Sequence, residues 1–302
     1  MRKETSGTIL ALLTAVISGF AIPVNKLFVV SLDPTVFTAV RAIIIGVMFL
    51  ILASFQSKFD YKKFKQVPWK YLLAIAVIGG SFAFLLFFTG LQFTTAGRGA
   101  FLHKTLPLYA TLFAFIFLKE KVSRKQLYAM LAMLVGTALI YFASIPPAQL
   151  WSNPSLGDLL IIGATILWGL ENTIARAAML KKESNLVVSF ARMFIGGVIL
   201  FGVVLLMGKL DILFSLSLQQ VSNLLISTAI LFGYVLCWYW SVRLINVSKA
   251  STLLLLAPVI SLVLGTWIFG EPVLGVQLLG SALILAGAYF VVGIKSRMAT
   301  GV

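Results

Sequence analysis

The stretch TTAGRGAFLHKTLPLYATLFAFIFLKEKVSRKQLYAMLAMLVGTALIYF at residues 94–142 has a diverged second copy in this chain. Its second copy, NVSKASTLLLLAPVISLVLGTWIFGEPVLGVQLLGSALILAGAYF, occupies 246–290, and a shift of 151 residues superposes the two without a gap. Pro107 then falls on Pro258, Glu120 on Glu271, Gln126 on Gln277, Gly136 on Gly287 and Arg98 on Lys249. The same shift reaches back toward the start of each copy, where VRAIIIG meets ARMFIGG and pairs Arg41 with Arg192 and Gly46 with Gly197. SGFAIPVNK also resembles LWGLENTIAR if the offset relaxes by one residue.

The repeated unit is too apolar for water. Hydrophobic residues make up 60% of the 302, charged residues 11%, and mean hydropathy is +1.04, so polar side chains are too few to cover a soluble globule. About 20 residues of helix span the roughly 30 Å hydrocarbon core. Ten segments qualify, at 8–29, 34–54, 71–91, 97–118, 124–143, 158–178, 186–207, 221–241, 249–269 and 274–293. Five fall in each copy, giving one repeat over 1–146 and a second over 147–302, with the Pro-, Ser- and Asn-rich IPPAQLWSNPSLGD at 145–158 as the seam. An odd number of crossings makes the second copy enter from the opposite side. The expected fold is an all-α membrane protein of ten transmembrane helices in two inverted five-helix repeats. The first helix has a counterpart in the second copy, which argues against a cleaved signal peptide.

The net charge of +15 is organised by this topology. Lys and Arg collect in alternate connections: Arg2 and Lys3; Lys58, Lys62, Lys63, Lys65 and Lys70; Lys119, Lys121, Arg124 and Lys125; Lys181 and Lys182; Arg243; Lys295 and Arg297. The other face has chiefly Arg98 and Lys209. Both termini are therefore expected in the cytoplasm of a multi-pass cell-membrane protein, and the basic charge reads as a topogenic signal, not a nucleic-acid footprint. Cys237 is the only cysteine and His103 the only histidine, so neither a disulfide nor a His- or Cys-based metal cluster can form within the chain. There is no G-x-x-x-x-G-K-[ST], G-x-S-x-G or H-E-x-x-H, and no cofactor or catalytic set is expected.

Two inverted halves of five helices, each closing with a helix, a short Glu-bearing loop and a Gly-bearing last helix, resemble the drug/metabolite transporter superfamily in its ten-helix EamA-type branch. The two quoted stretches and the Trp168–Gly169 pair carry the likeness. It implies movement of small metabolites such as amino acids, or drugs, out of the cell. Relatives in the superfamily carry sugar phosphates, nucleotide sugars or lipid-linked cargo. The EamA-type pattern more often has small or apolar residues where His103 and Lys104 stand.

Charges inside the spans are costly and must face each other, a cavity or a headgroup. Arg41 and Arg192 recur in both copies, as expected of groups serving the shared fold by snorkelling or pairing between helices. His103 and Lys104 fall on Leu254 and Leu255, so the fold does not require polarity there, and the pair is expected to serve a ligand or a coupling proton. Successive helical residues point about 100° apart. Lys104 is therefore placed toward a cavity, with His103 lining it or hydrogen-bonded between helices. Glu171 has no acidic counterpart and reads either as a ligand group or as the salt-bridge partner of Arg192 or Lys104. With Trp168, Asn172 and Tyr234, these complete the expected substrate site. Pro107 and Pro258 are the expected kinks or hinges. The WYW run at 238–240 reads more readily as interfacial, and Glu120 and Glu271 as helix-end or gate-side hydrogen-bonding groups.

Inverted repeats support alternating access, because exchanging the conformations of the halves turns an inward-facing cavity outward. The leading expectation is a secondary exporter of small polar metabolites, amino acids or organic anions; a flippase for lipids or lipid-linked sugars is the alternative. A zwitterionic amino acid would place its carboxylate at Lys104 and its ammonium near Glu171.

Overall fold

The computed structural model describes residues 2–28, 33–56, 68–143, 155–181 and 183–296. Most of the 145–158 seam, the 58–66 loop with its lysines, Lys182 and Arg297 lie outside the described residues. All regular structure among the described residues is helical. In hydrocarbon every backbone N–H and C=O must be satisfied within the segment, which leaves helices as the way for these runs to cross.

Ten long helical segments follow one another: α1 Arg2–Phe28, α2 Pro34–Phe55, α3 Trp69–Gln92, α4 Ala96–Lys104 resuming at Leu106–Leu118, α5 Arg124–Tyr141, α6 Leu156–Leu180, α7 Asn185–Leu206, α8 Leu218–Leu244, α9 Val247–Leu253 running through a tight turn at Leu254–Leu256 into Ala257–Phe269, and α10 Gly275–Gly293. Among the described residues nine are long and apolar enough to cross a membrane. The tenth, α5, is 18 residues long, with Arg124, Lys125 and Gln126 in its first turn lowering its mean hydropathy. Large apolar side chains face outward, among them Trp267, Tyr289 and Leu206 at 80% exposure or more, as a lipid-facing surface requires. The chain is a multi-pass membrane protein.

The repeat is visible in the helix boundaries. Shifted by 151 residues, α2 becomes Asn185–Leu206, and the outer limits of α4, Ala96 and Leu118, become Val247 and Phe269. Both α4 and α9 are interrupted at the same place, just before Pro107 and Pro258, where the ring removes an N–H from the helical ladder. The two copies interlock: α1 packs on α8 and α9, and α6 packs on α3 and α4. Gly169 meets Tyr109 of α4, and Gly19 meets Ile260, the position equivalent to Tyr109, on α9.

Local chemistry fixes several ends. Asp33 caps α2 by accepting from Thr35 N at 2.9 Å and Val36 N at 3.1 Å, and it takes Lys209 Nζ at 2.7 Å. Burial alone would raise its carboxyl, but the lysine and the cap N–H groups outweigh that and hold it below the usual value. Ser155 with Asp158, and Ser217 with Gln220, form capping boxes at α6 and α8. Several ends lie beyond the expected bounds, two of them for identifiable reasons. α1 begins before residue 8 because Glu4 accepts Lys249 Nζ at 2.8 Å and the Ser296 amide at 3.1 Å. α8 begins before 221 because its capping box starts at Ser217.

Candidate functional site

A cavity of about 340 Å³ lies between the two copies, within the range of pockets that enclose small molecules. It occupies the half of the bundle where α4 and α6 begin. The opposite end, where α1 begins and α10 finishes, is closed by a buried polar cluster. There Arg176 donates to the Val242 carbonyl at 2.7 Å and to the Arg243 carbonyl, and lies 3.8 Å from Glu120. Glu120 accepts from Val247 N at 3.4 Å, and Lys249 reaches Glu4 and the Ile294 carbonyl. Burial lifts the Glu120 carboxyl above its usual range, with Arg176 and the Val247 N–H pulling it only partly back. Its repeat mate Glu271 is exposed, so the pair is not equivalent in this conformation.

The interruption of α4 puts both His103 and Lys104 on the cavity wall. His103 joins an aromatic surface: its ring centroid is 5.0 Å from Trp168 and 5.3 Å from Phe87, and Trp168 is 5.2 Å from Phe84. Lys104 is 8% exposed, and its ammonium forms no hydrogen bond or ion pair among the described residues. A small cleft of about 20 Å³, lined by both residues, Pro107, Leu254 and Leu255, runs from here to the matching break in α9. The two interruptions therefore face each other, although Pro258 itself is off the cavity surface.

Two widened π turns, Ile78–Phe82 in α3 and Ala191–Ile195 in α7, have no equivalents in α8 and α2. Each adds a residue's width to its helix, and such turns recur at functional sites. The first brings the Gly79 carbonyl within 3.0 Å of Trp168 Nε1, fixing the indole against the wall. The second carries Arg192 to the cavity. Behind the two turns lies Glu171, fully buried. It accepts from the Tyr239 hydroxyl and sits 3.7 Å from Arg192 Nε, and a side chain at position 79 would collide with it. Of the two readings of Glu171, the geometry is that of the Arg192 partner, not of a group lining the cavity.

The other expected residues reach the wall. Asn172 accepts from Trp238 Nε1 at 2.8 Å, and Tyr234 stacks on Trp238 at 6.5 Å between ring centroids. The WYW run thus divides: Trp238 lines the cavity and Trp240 is exposed. Arg41 also arrives, with Nη1 donating to Ser227 at 2.8 Å and its guanidinium 4.4 Å over Phe37. Position within a helix gives depth but not azimuth, so sequence left the reach of the arginines open. Phe84, Phe87, Tyr141 and Ser227 carried no signal separating them from lipid-facing or packing residues.

A family model described as the EamA-like transporter family matches residues 5–142 and 155–293. An uncharacterized transporter of Bacillus subtilis, YyaM, is 27% identical over 71% of this chain and 70% of its own length. An uncharacterized transporter of Archaeoglobus fulgidus is 23% identical over 93% and 96%. A protein of Salmonella typhimurium named "Probable amino-acid metabolite efflux pump" is 27% identical over 95% of both. A solved crystal structure superposes with a TM-score of 0.75 at 16% identity, covering 94% of this chain and 96% of that one, a likeness of fold.

Proposed function

The chain belongs to the EamA-like transporter family, and from that premise we propose that it is a secondary exporter of small polar metabolites bearing a carboxylate, amino acids or organic anions, across the cell membrane. Both termini are cytoplasmic in this reading, supported by the alternation of basic loops. The carrying observation is the cavity between the copies, lined by Arg41, Lys104 and Arg192. Cations held in a low-dielectric site recover much of their desolvation cost when a carboxylate enters. The name of the Salmonella relative points to the same class of cargo.

Transport follows by rocking of the repeats, 1–146 against 147–302. The breaks at Pro107 and Pro258 supply places where α4 and α9 bend without tearing a continuous ladder. Opening the opposite end requires the Glu120, Arg176 and Lys249 contacts to part while the cavity side closes. A proton is the coupling ion we assign to the cycle.

The full-length protein reconstituted into vesicles and preloaded with labelled amino acids or organic acids tests this. Carboxylate efflux that exceeds protein-free vesicles and rises with an imposed pH gradient is the expected result. Efflux indistinguishable from the empty vesicles for every carboxylate overturns the reading.

A further inference from the structure

We infer that the preferred cargo is an organic anion without an ammonium group, a keto, hydroxy or N-acylated acid with an apolar or flat body, in preference to the free amino acid. The inference rests on the transport reading above and narrows its substrate class.

The argument is a count of donors, acceptors and charges on one wall. Among the described residues three cationic side chains line the cavity, and no Asp or Glu does. Arg192 is matched by Glu171, which lies off the cavity surface behind the π turns. Arg41 and Lys104 have no carboxylate partner among the described residues. Each is at least nine-tenths buried, and among the described residues the Lys104 ammonium has no acceptor and Arg41 Nε no partner. The Tyr141 hydroxyl on the same wall is also buried without a partner. Donors without a protein partner are costly to bury, so this surface favours an acceptor-rich anion.

A free amino acid satisfies half of that arrangement and then brings a problem. Its carboxylate can meet Lys104 and Arg41, but its ammonium needs acceptors. The carboxylate that could have met it, Glu171, is fully buried and already engaged by Tyr239 and Arg192. The Asn172 oxygen already accepts from Trp238, and the other acceptors on the wall are neutral. An ammonium would therefore sit among like charges with no carboxylate on the wall to offset them, which is how a site rejects a competitor of the same shape. Replacing the ammonium by a keto oxygen or an acylated nitrogen removes that conflict and leaves the carboxylate clamp intact. The aromatic rings of the lining, Trp168 with His103 and Phe87, and Tyr234 with Trp238, suit an apolar or flat body.

Matched pairs test the inference on the wild-type, full-length protein in vesicles: phenylpyruvate against phenylalanine, 2-oxoglutarate against glutamate, with phenethylamine as the cation control. The keto acid of each pair should be transported with an apparent affinity at least about tenfold better than the amino acid, with phenethylamine inert. The margin should shrink in Lys104→Gln and recover in Lys104→Arg. Equal or better handling of the amino acids, or inhibition by phenethylamine, overturns the inference while leaving export of small metabolites standing. Transport of neither member of either pair overturns both.

Discussion

α4 and α9 are the same helix built twice, and they differ where it matters. Each breaks just before its proline, each runs to the same length, and each ends in a left-handed residue, Lys119 at φ 55° and Gly270 at φ 65°. At the break itself, α4 carries His103 and Lys104 whereas α9 carries Leu254 and Leu255. The shared features belong to the architecture, since both copies keep them. The unshared ones collect on the cavity, along with the two π turns that occur in α3 and α7 but not in their repeat mates. Duplication thus separates scaffold from site within a single chain.

Transplanting the charge gives the largest expected effect. Leu255→Lys puts an ammonium where 1% of the residue is exposed, at a cost of about 2.5–3.5 kcal/mol or more inside a membrane. The variant should fail to accumulate in the membrane, as measured by the yield of monodisperse protein. Normal yield would mean that α9 tolerates polarity as α4 does, and the comparison would fail.

Removing the charge from α4 should do the opposite, preserving the fold and damaging function. Lys104→Gln should give normal yield with anion affinity reduced by about 1.5–3 kcal/mol, the range of a hydrogen bond to a charged group. Competition uptake measures it. Unchanged affinity would place the site elsewhere.

The prolines probe what the helices share. Pro107→Ala and Pro258→Ala each restore an N–H to the ladder and stiffen the bend. Similar severalfold falls in turnover, with affinity little changed, are expected from both if the halves rock alike. A fall in only one would assign the motion to one copy.

The smallest effect sharpens the comparison at the helix ends. Lys119 occupies a backbone region that glycine holds in the other copy, so Lys119→Gly should stabilise by up to about 1 kcal/mol and Gly270→Ala destabilise by a similar amount. Thermal unfolding in detergent reads both, with transport unaffected.

Much of the architecture was legible because a bilayer imposes a local rule on length and polarity. The ten spans, the repeat and the asymmetry at His103 and Lys104 all follow from linear patterns. What could not be read depends on pairings between distant segments. α1 starts early because Lys249, 245 positions away, holds Glu4. The seclusion of Glu171 depends on the π turn at Gly79, and no residue pattern announces a π turn. Arg41 and Arg192 look like scaffold because they recur, yet both reach the cavity, so recurrence separates requirements of the fold from other residues without excluding a second use.

The unmatched positive lining also has an electrical consequence. In the proposed cycle the cavity faces one side of the bilayer and then the other, so an empty turnover moves the charges of Lys104 and Arg41 relative to the transmembrane field, while a turnover loaded with an anion moves less. Each elementary charge carried through 100 mV is worth about 2.3 kcal/mol. The membrane potential therefore acts chiefly on the return of the vacant carrier. A negative interior that drives a free anion outward also draws the empty, positive site back in.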